Sequence, residues 1–313
     1  MTAETFRRRR SRLGPAAALA ALFLAYPALA QDHSDHAPSA GLDKTIRSEA
    51  GNTPTSPFRI ADNLYYVGAS DIAAYLVVTD GGLALIDGGY PSTAGQILAN
   101  IKALGFEPRA VKVLLSSHAH VDHAGGLAEL KAATGAVLYA SAEDGTLMRR
   151  GGKDDFFLGD RYPYPPVTPD HVLADGQKVT IGDVVLTAHL TPGHTKGCTT
   201  WTFPVRVDGQ PKQALVLCSL SILPGYRLVG DPTYPNMAED FAHSYAVLKA
   251  LPCEVFLASH GQFFGLTEKR AAMRPDAPNP FVDPAGCKAY FATKKAEFEA
   301  ELKKQKALPP PSR

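Results

Sequence analysis

The chain has 313 residues, 45% of them hydrophobic and 20% charged, with 32 basic against 31 acidic side chains and four cysteines. That length and apolar content suit one large domain, not a disordered segment or a disulfide-stapled miniprotein. The near-balanced charge, formally +1, gives no basic surface for nucleic acid.

Residues 1–30 do not read as part of the fold. "RRRRSR" is a charged lead, "AAALAALFLAY" an apolar run short for a bilayer span, and "ALA" before Gln31 a small-residue cleavage site. A Sec-type signal cleaved after Ala30 is expected, with export to the periplasm and no stable membrane association afterwards. Setting aside its five arginines and one glutamate leaves 27 basic and 30 acidic residues, a formal charge of −3. Residues 31–56 are polar and rich in Pro, Ser, Asn and Asp, which predicts an extended arm with His33 and His36 solvated. Residues 57–313 form the expected folded domain.

"FRIADNLYYVGASDIAAYLVVTDGGLALIDGG" alternates strand-like runs with turn signals and predicts an antiparallel meander. "TAGQILANIKALGF" has apolar residues at helical spacing. "VKVLLSS" is a short buried strand, "AELKAATGA" a helix ending at Gly, and "AVLYAS" another strand. The stretch "RRGGKDDFFLGDRYPYPPVTPD" has no period. Its segment from Gly151 to Pro166, with Phe156, Phe157, Tyr162 and Tyr164, reads as an apolar flap with exposed aromatics that Ile222 and Tyr226 would face. "KVTIGDVVLTAHLTPGHT" returns to strands, "AEDFAHSYAVLKAL" is a helix, "EVFLASHG" a strand ending in histidine, and "KAYFATKKAEFEAELKKQKA" a helix stopped by "PPP". Strands and helices alternate in two similar halves. This order predicts an α/β fold, a four-layer αββα sandwich with two sheets face to face and helices outside.

All four cysteines lie in the second half: Cys198, Cys218, Cys253 and Cys287. An even count in an oxidising compartment suggests two bridges. "CTTWTF" and "ALVLC" fold about a turn centred near Asp208 and Gly209, which sets Cys198 opposite Cys218 to within one residue. Cys253 and Cys287 then pair by elimination.

"LLSSHAHVDHAGG" places three of the ten histidines and an aspartate within six positions, where a strand gives way to a helix. His118 and His120, two apart on an extended strand end, would share a face, while Asp122 and His123 lie where the chain turns. His194 closes "LTPGHT" and His260 closes "EVFLASH", so three apolar runs end in imidazoles. His118, His120 and His194 would make one centre; Asp122, His123 and His260 a second. Such His and carboxylate sets suit catalytic metal better than a structural site. Two divalent ions sharing a hydroxide give a nucleophile at neutral pH beside a Lewis acid. His171, placed in a loop, His243, on a helix face, and His189, within a strand, read as ordinary side chains.

"HAHVDH", "TPGHT", "LIDGG" and the late "SHG" resemble the metallo-β-lactamase superfamily, from about Phe58 to the end of the chain. "LVLCSLSILPGYRLVGDPTYPN" is similar to subclass B3, with Ser219-Leu220-Ser221 where thioester, lactone and phosphodiester hydrolases usually carry a metal-bridging aspartate. The resemblance implies two Zn2+ per chain and a bridging hydroxide that attacks a β-lactam carbonyl, with the second zinc taking the leaving nitrogen. It implies Asp122 as ligand and catalytic residue, Ser219 and Ser221 as substrate-binding, and Asp87 as support for the ligand loop. It also agrees with the Cys253–Cys287 pairing. The expected protein is a monomeric periplasmic hydrolase of a small-molecule β-lactam that confers antibiotic resistance. Hydrolysis of another small ester, thioester or lactone is the alternative.

Overall fold

The computed structural model describes residues 39–308. The expected signal segment, His33, His36 and the closing proline run lie outside the described residues. The first sheet runs in the order β1 (Phe58–Ala61), β2 (Leu64–Tyr66), β3 (Tyr75–Thr79), β4 (Gly82–Ile86), β5 (Val111–Leu115), β6 (Val137–Ser141), β7 (His171–Leu173). Its first four strands form the expected antiparallel meander, and β4 to β7 are parallel. Parallel neighbours need crossovers, which α2 (Ala94–Ala103), α4 (Leu127–Thr134) and α5 (Ala142–Arg149) supply. The second sheet runs β12 (Val255–Ala258), β11 (Gln210–Leu217), β10 (Thr199–Val207), β9 (Val184–Leu190), β8 (Lys178–Ile181). β8 to β11 are antiparallel and β12 joins β11 in parallel.

The sheets touch through β1 with β10 and β4 with β8, and Trp201 of β10 is wholly buried. Helices α4 and α5 pack on the first sheet. On the second, α7 (Gly261–Phe264) and α9 (Pro284–Lys306) pack on β12, with α6 (Met237–Ala250) on α9 and α8 (Leu266–Ala272) on α7. Two sheets with covering helices match the αββα expectation. The β10–β11 hairpin turns at Asp208 and Gly209, with φ of 51° and 74°, so Val207 faces Gln210 directly. Left-handed conformation at both residues matches the twist of the flanking strands.

The segment 31–56 is not extended throughout, because it carries α1 (Ala40–Arg47). Ser39 Oγ accepts from Leu42 N at 3.3 Å, and Leu42 and Ile46, four apart on one face, pack against the core. Tyr162 donates its hydroxyl to Asp43 at 2.6 Å and fixes the helix to the loop before β7. In the sequence Leu42 and Ile46 give this helix a single four-residue apolar spacing among polar neighbours, too short a run to stand out. The loop at 151–166 also departs from expectation, since its four aromatics are buried instead of exposed. Phe156 and Phe157 lie 5.4 and 4.7 Å from the Tyr226 ring, and Tyr164 donates to Ala119 O at 2.7 Å. His171 belongs to strand β7, where it stacks on Tyr139, and not to a loop.

Both expected disulfides are present. Cys198–Cys218 joins the ends of β10 and β11 with Cα atoms 5.8 Å apart, and Cys253–Cys287 ties the segment before β12 to α9 with Cα atoms 6.5 Å apart.

Candidate metal centre

β5 stops at Leu115, so His118 and His120 sit in the loop beyond the strand, not on its extended end. What shapes that loop is Asp87, at the end of β4 with φ of 65°. Its carboxylate accepts from Ser117 N and Ser117 Oγ, both at 2.6 Å. Because the Ser117 hydroxyl is committed to Asp87, its oxygen is left to accept from His118 Nδ1 at 3.0 Å. That bond fixes the tautomer and leaves the His118 Nε2 lone pair free. β10 braces the same loop: Thr199 N donates to Ser117 O at 2.8 Å and Trp201 Nε1 to Ser116 O at 3.1 Å.

His194 follows β9 in a loop and donates from Nδ1 to Ser221 O at 2.9 Å, again leaving Nε2 free. The rings of His118, His120 and His194 lie 4.8–5.0 Å apart, and their donor atoms fall within 4.8 Å of one another. Nε2 of His118 and Nε2 of His120 are buried without a hydrogen-bond partner. Burial holds all three imidazoles below their ordinary pKa, so they are neutral lone-pair donors.

Asp122 and His123 fall on the single turn α3 (Val121–Ala124), which His120 O starts by accepting from Ala124 N at 2.9 Å. His123 Nε2 lies 3.1 Å from His260 Nε2 and 3.3 Å from Asp122 Oδ2, and His260 Nε2 lies 3.5 Å from that same oxygen. Tetrahedral ligation at roughly 2.0–2.1 Å sets donor atoms about 3.3 Å apart. The triad therefore already has the spacing of a zinc ligand set. His118 also lies within 4.8 Å of Asp122 and His123, so the two centres adjoin. Burial works against the charged forms of Asp122 and His123, but their mutual attraction outweighs it, holding His123 above and Asp122 below its ordinary value.

Three carboxylates behind the ligands were not legible in the sequence. Asp71 Oδ2 accepts from His260 Nδ1 at 2.9 Å, and its Oδ1 from Gln262 N at 2.7 Å. Burial pushes this carboxyl up, yet the His260 and Gln262 bonds hold it below its ordinary value. Asp155, in the loop before β7, faces His120 Nε2 at 3.9 Å. Asp144, in α5, accepts from both ligand loops. None carries a local motif. The ordinary readings of the other histidines hold: His189 pairs with Thr202 Oγ1 at 2.8 Å, and His243 is exposed on α6.

The centres open into a cavity of about 610 Å³ walled by Leu42 and Ile46 of α1, by Ile72, Leu158 and Phe263, and by Ser219, Ser221 and Lys294. Ser219 Oγ is engaged by Ser221 N at 3.2 Å.

Two adjoining donor sets under one apolar-walled cleft suit a pair of metal ions beside a small-molecule pocket. The metallo-β-lactamase superfamily model matches residues 67–207. The FEZ-1 metallo-β-lactamase from Legionella gormanii is 46% identical, with 82% of this chain and 99% of that chain covered and a TM-score of 0.80. BJP-1, a subclass B3 metallo-β-lactamase of Bradyrhizobium japonicum, is 39% identical over 83% of this chain and 98% of that one, with a TM-score of 0.78. The hydroxyacylglutathione hydrolase of Rhodospirillum rubrum is 34% identical over 130 residues, 41% of this chain and 41% of that protein. The match thus spans well under two thirds of that curated relative. The chain belongs to the metallo-β-lactamase superfamily.

Proposed function

We propose that the protein is an exported di-zinc hydrolase that opens the β-lactam ring of penicillins, cephalosporins and carbapenems, acting in the periplasm and conferring resistance to them. The carrying observation is the wall after β11. It presents Ser219 and Ser221 to the cleft, while Asp122, His123 and His260 close on one point without a further carboxylate from that segment. Near-complete coverage of solved metallo-β-lactamases supports the same reading.

His118, His120 and His194 would hold one ion, and Asp122, His123 and His260 the other. The ions supply a nucleophile at neutral pH and a Lewis acid for the carbonyl. The chain's own groups do the rest. Ser117, Ser221 O and Asp71 fix imidazole tautomers so that free lone pairs face the cleft. Ser221 and Lys294 both line the cleft and would receive the substrate carboxylate, Lys294 exchanging its 2.8 Å partner Glu297 for it. The apolar wall of Leu42, Ile46, Ile72 and Phe263 excludes water around the ring.

Thioester hydrolysis is the second reading, favoured by the hydroxyacylglutathione hydrolase relatives. Purified zinc-loaded protein assayed against nitrocefin, a penicillin, a carbapenem and a hydroxyacylglutathione thioester separates them. Chelator-sensitive opening of the lactams supports the proposal, whereas fast thioester cleavage with no lactam turnover rejects it.

A further inference from the structure

Asp144 is 3% exposed in the first turn of α5. Its Oδ2 accepts from Ala119 N at 3.0 Å and from Thr195 Oγ1 at 2.9 Å, and its Oδ1 from Gly197 N at 3.0 Å. Ala119 is the residue between His118 and His120, and Thr195 directly follows His194. One carboxylate therefore grips both loops that must meet to form the three-histidine set. None of these bonds reaches Asp122, His123 or His260.

We propose that Asp144 is a positioning residue for the three-histidine centre, setting the register of the His118–His120 loop against the His194 loop.

The close approach is built into the chain. A Cβ at Gly197 would meet the Asp144 carboxyl carbon at 2.6 Å and would also collide with Ser141 Oγ, so only glycine lets this backbone N–H reach the carboxylate. Three donors facing one group also require an acceptor-only side chain, because an amide would turn its NH2 against one of them. Burial pushes this carboxyl up, and the three donors pull against that rise by favouring its ionised form.

The assignment rests on the two-metal reading, so it is tested by metal binding and not by turnover. In a His260→Ala background, where the three-histidine set is the intact one, zinc affinity is measured by chelator competition. It is compared with the same background carrying Asp144→Asn or Thr195→Val. Asp144→Asn is expected to weaken zinc roughly 10–100-fold, the range for residues that orient ligands. Thr195→Val should act in the same direction but less, with metal-free melting close to the background. In the otherwise wild-type chain, Asp144→Asn should leave the affinity of the Asp122–His123–His260 set within about twofold. Equal weakening of both sets with a lowered metal-free melting temperature would mean a structural role only and overturns the proposal. So does unchanged zinc affinity in both variants. If Asp144→Asn does not fold, Thr195→Val alone decides. A parent chain that binds no zinc rejects the two-metal reading itself, a distinct result.

Discussion

Asp71→Ala tests whether the second donor set depends on a residue far from it in sequence. Asp71 orients His260 through the 2.9 Å bond to Nδ1, and its other oxygen holds Gln262 N at 2.7 Å. Without the carboxylate the His260 ring is free to rotate and either tautomer becomes available, so the Nε2 lone pair is no longer aimed at the point 3.1 Å from His123 Nε2. Loss of such a partner typically costs about 10–100-fold in metal affinity. With a tenfold change worth ~1.4 kcal/mol, this is roughly 1.4–2.8 kcal/mol. The cost should fall on one site, because none of the hydrogen bonds made by Asp71 reaches His118, His120 or His194. Two-step zinc titration against a chromophoric chelator reads both affinities. Asp71→Asn, whose amide oxygen can still accept from His260, should fall between wild type and Asp71→Ala. Two zinc affinities unchanged in Asp71→Ala would refute the reasoning, and so would equal losses at both sites.

Ser221→Ala, and Lys294→Met in the lining of the same cleft, should each raise KM for carboxylate-bearing lactams severalfold with kcat nearly constant, since they remove binding present in ground and transition states alike. Steady-state kinetics check this, and a fall in kcat at constant KM would place these groups in the chemical step instead. Replacing Cys253 and Cys287 by Ala opens a loop of sequence separation 34 and should lower unfolding free energy by about 4 kcal/mol in urea melts. Asp283 caps α9 by accepting from Gly286 N at 2.8 Å and pairs with Lys269 at 2.9 Å. Burial raises its carboxyl, but these partners outweigh that and hold it below the ordinary 3.8. A depressed acid stabilises fully above its unfolded value and loses that contribution as pH falls through its folded value. The stability gap between wild type and Asp283→Ala, about 1 kcal/mol or more at pH 7, should therefore shrink below pH 3.8 in denaturant melts at successive pH values.

The residues of "HAHVDH", His194 and His260 were legible in the sequence because each closes an apolar run, and a strand followed by a turn is a local pattern. The hairpin was equally legible: Asp208-Gly209 sets the twist, and the turn fixes the register that brings Cys198 to Cys218. The layer order followed from alternating strand and helix periods. Tertiary structure decided what had no local period to carry it. Asp71 meets His260 across 189 positions, and Asp144 meets Thr195 across 51, pairings that exist only once the sheets and helices have packed. Burial of Phe156, Phe157, Tyr162 and Tyr164 was likewise settled by what lay opposite them, as was the docking of α1 on the cleft. A sequence specifies its ligands one short segment at a time. The carboxylates that aim those ligands come from other segments, because a buried N–H takes whichever acceptor the completed fold brings within reach.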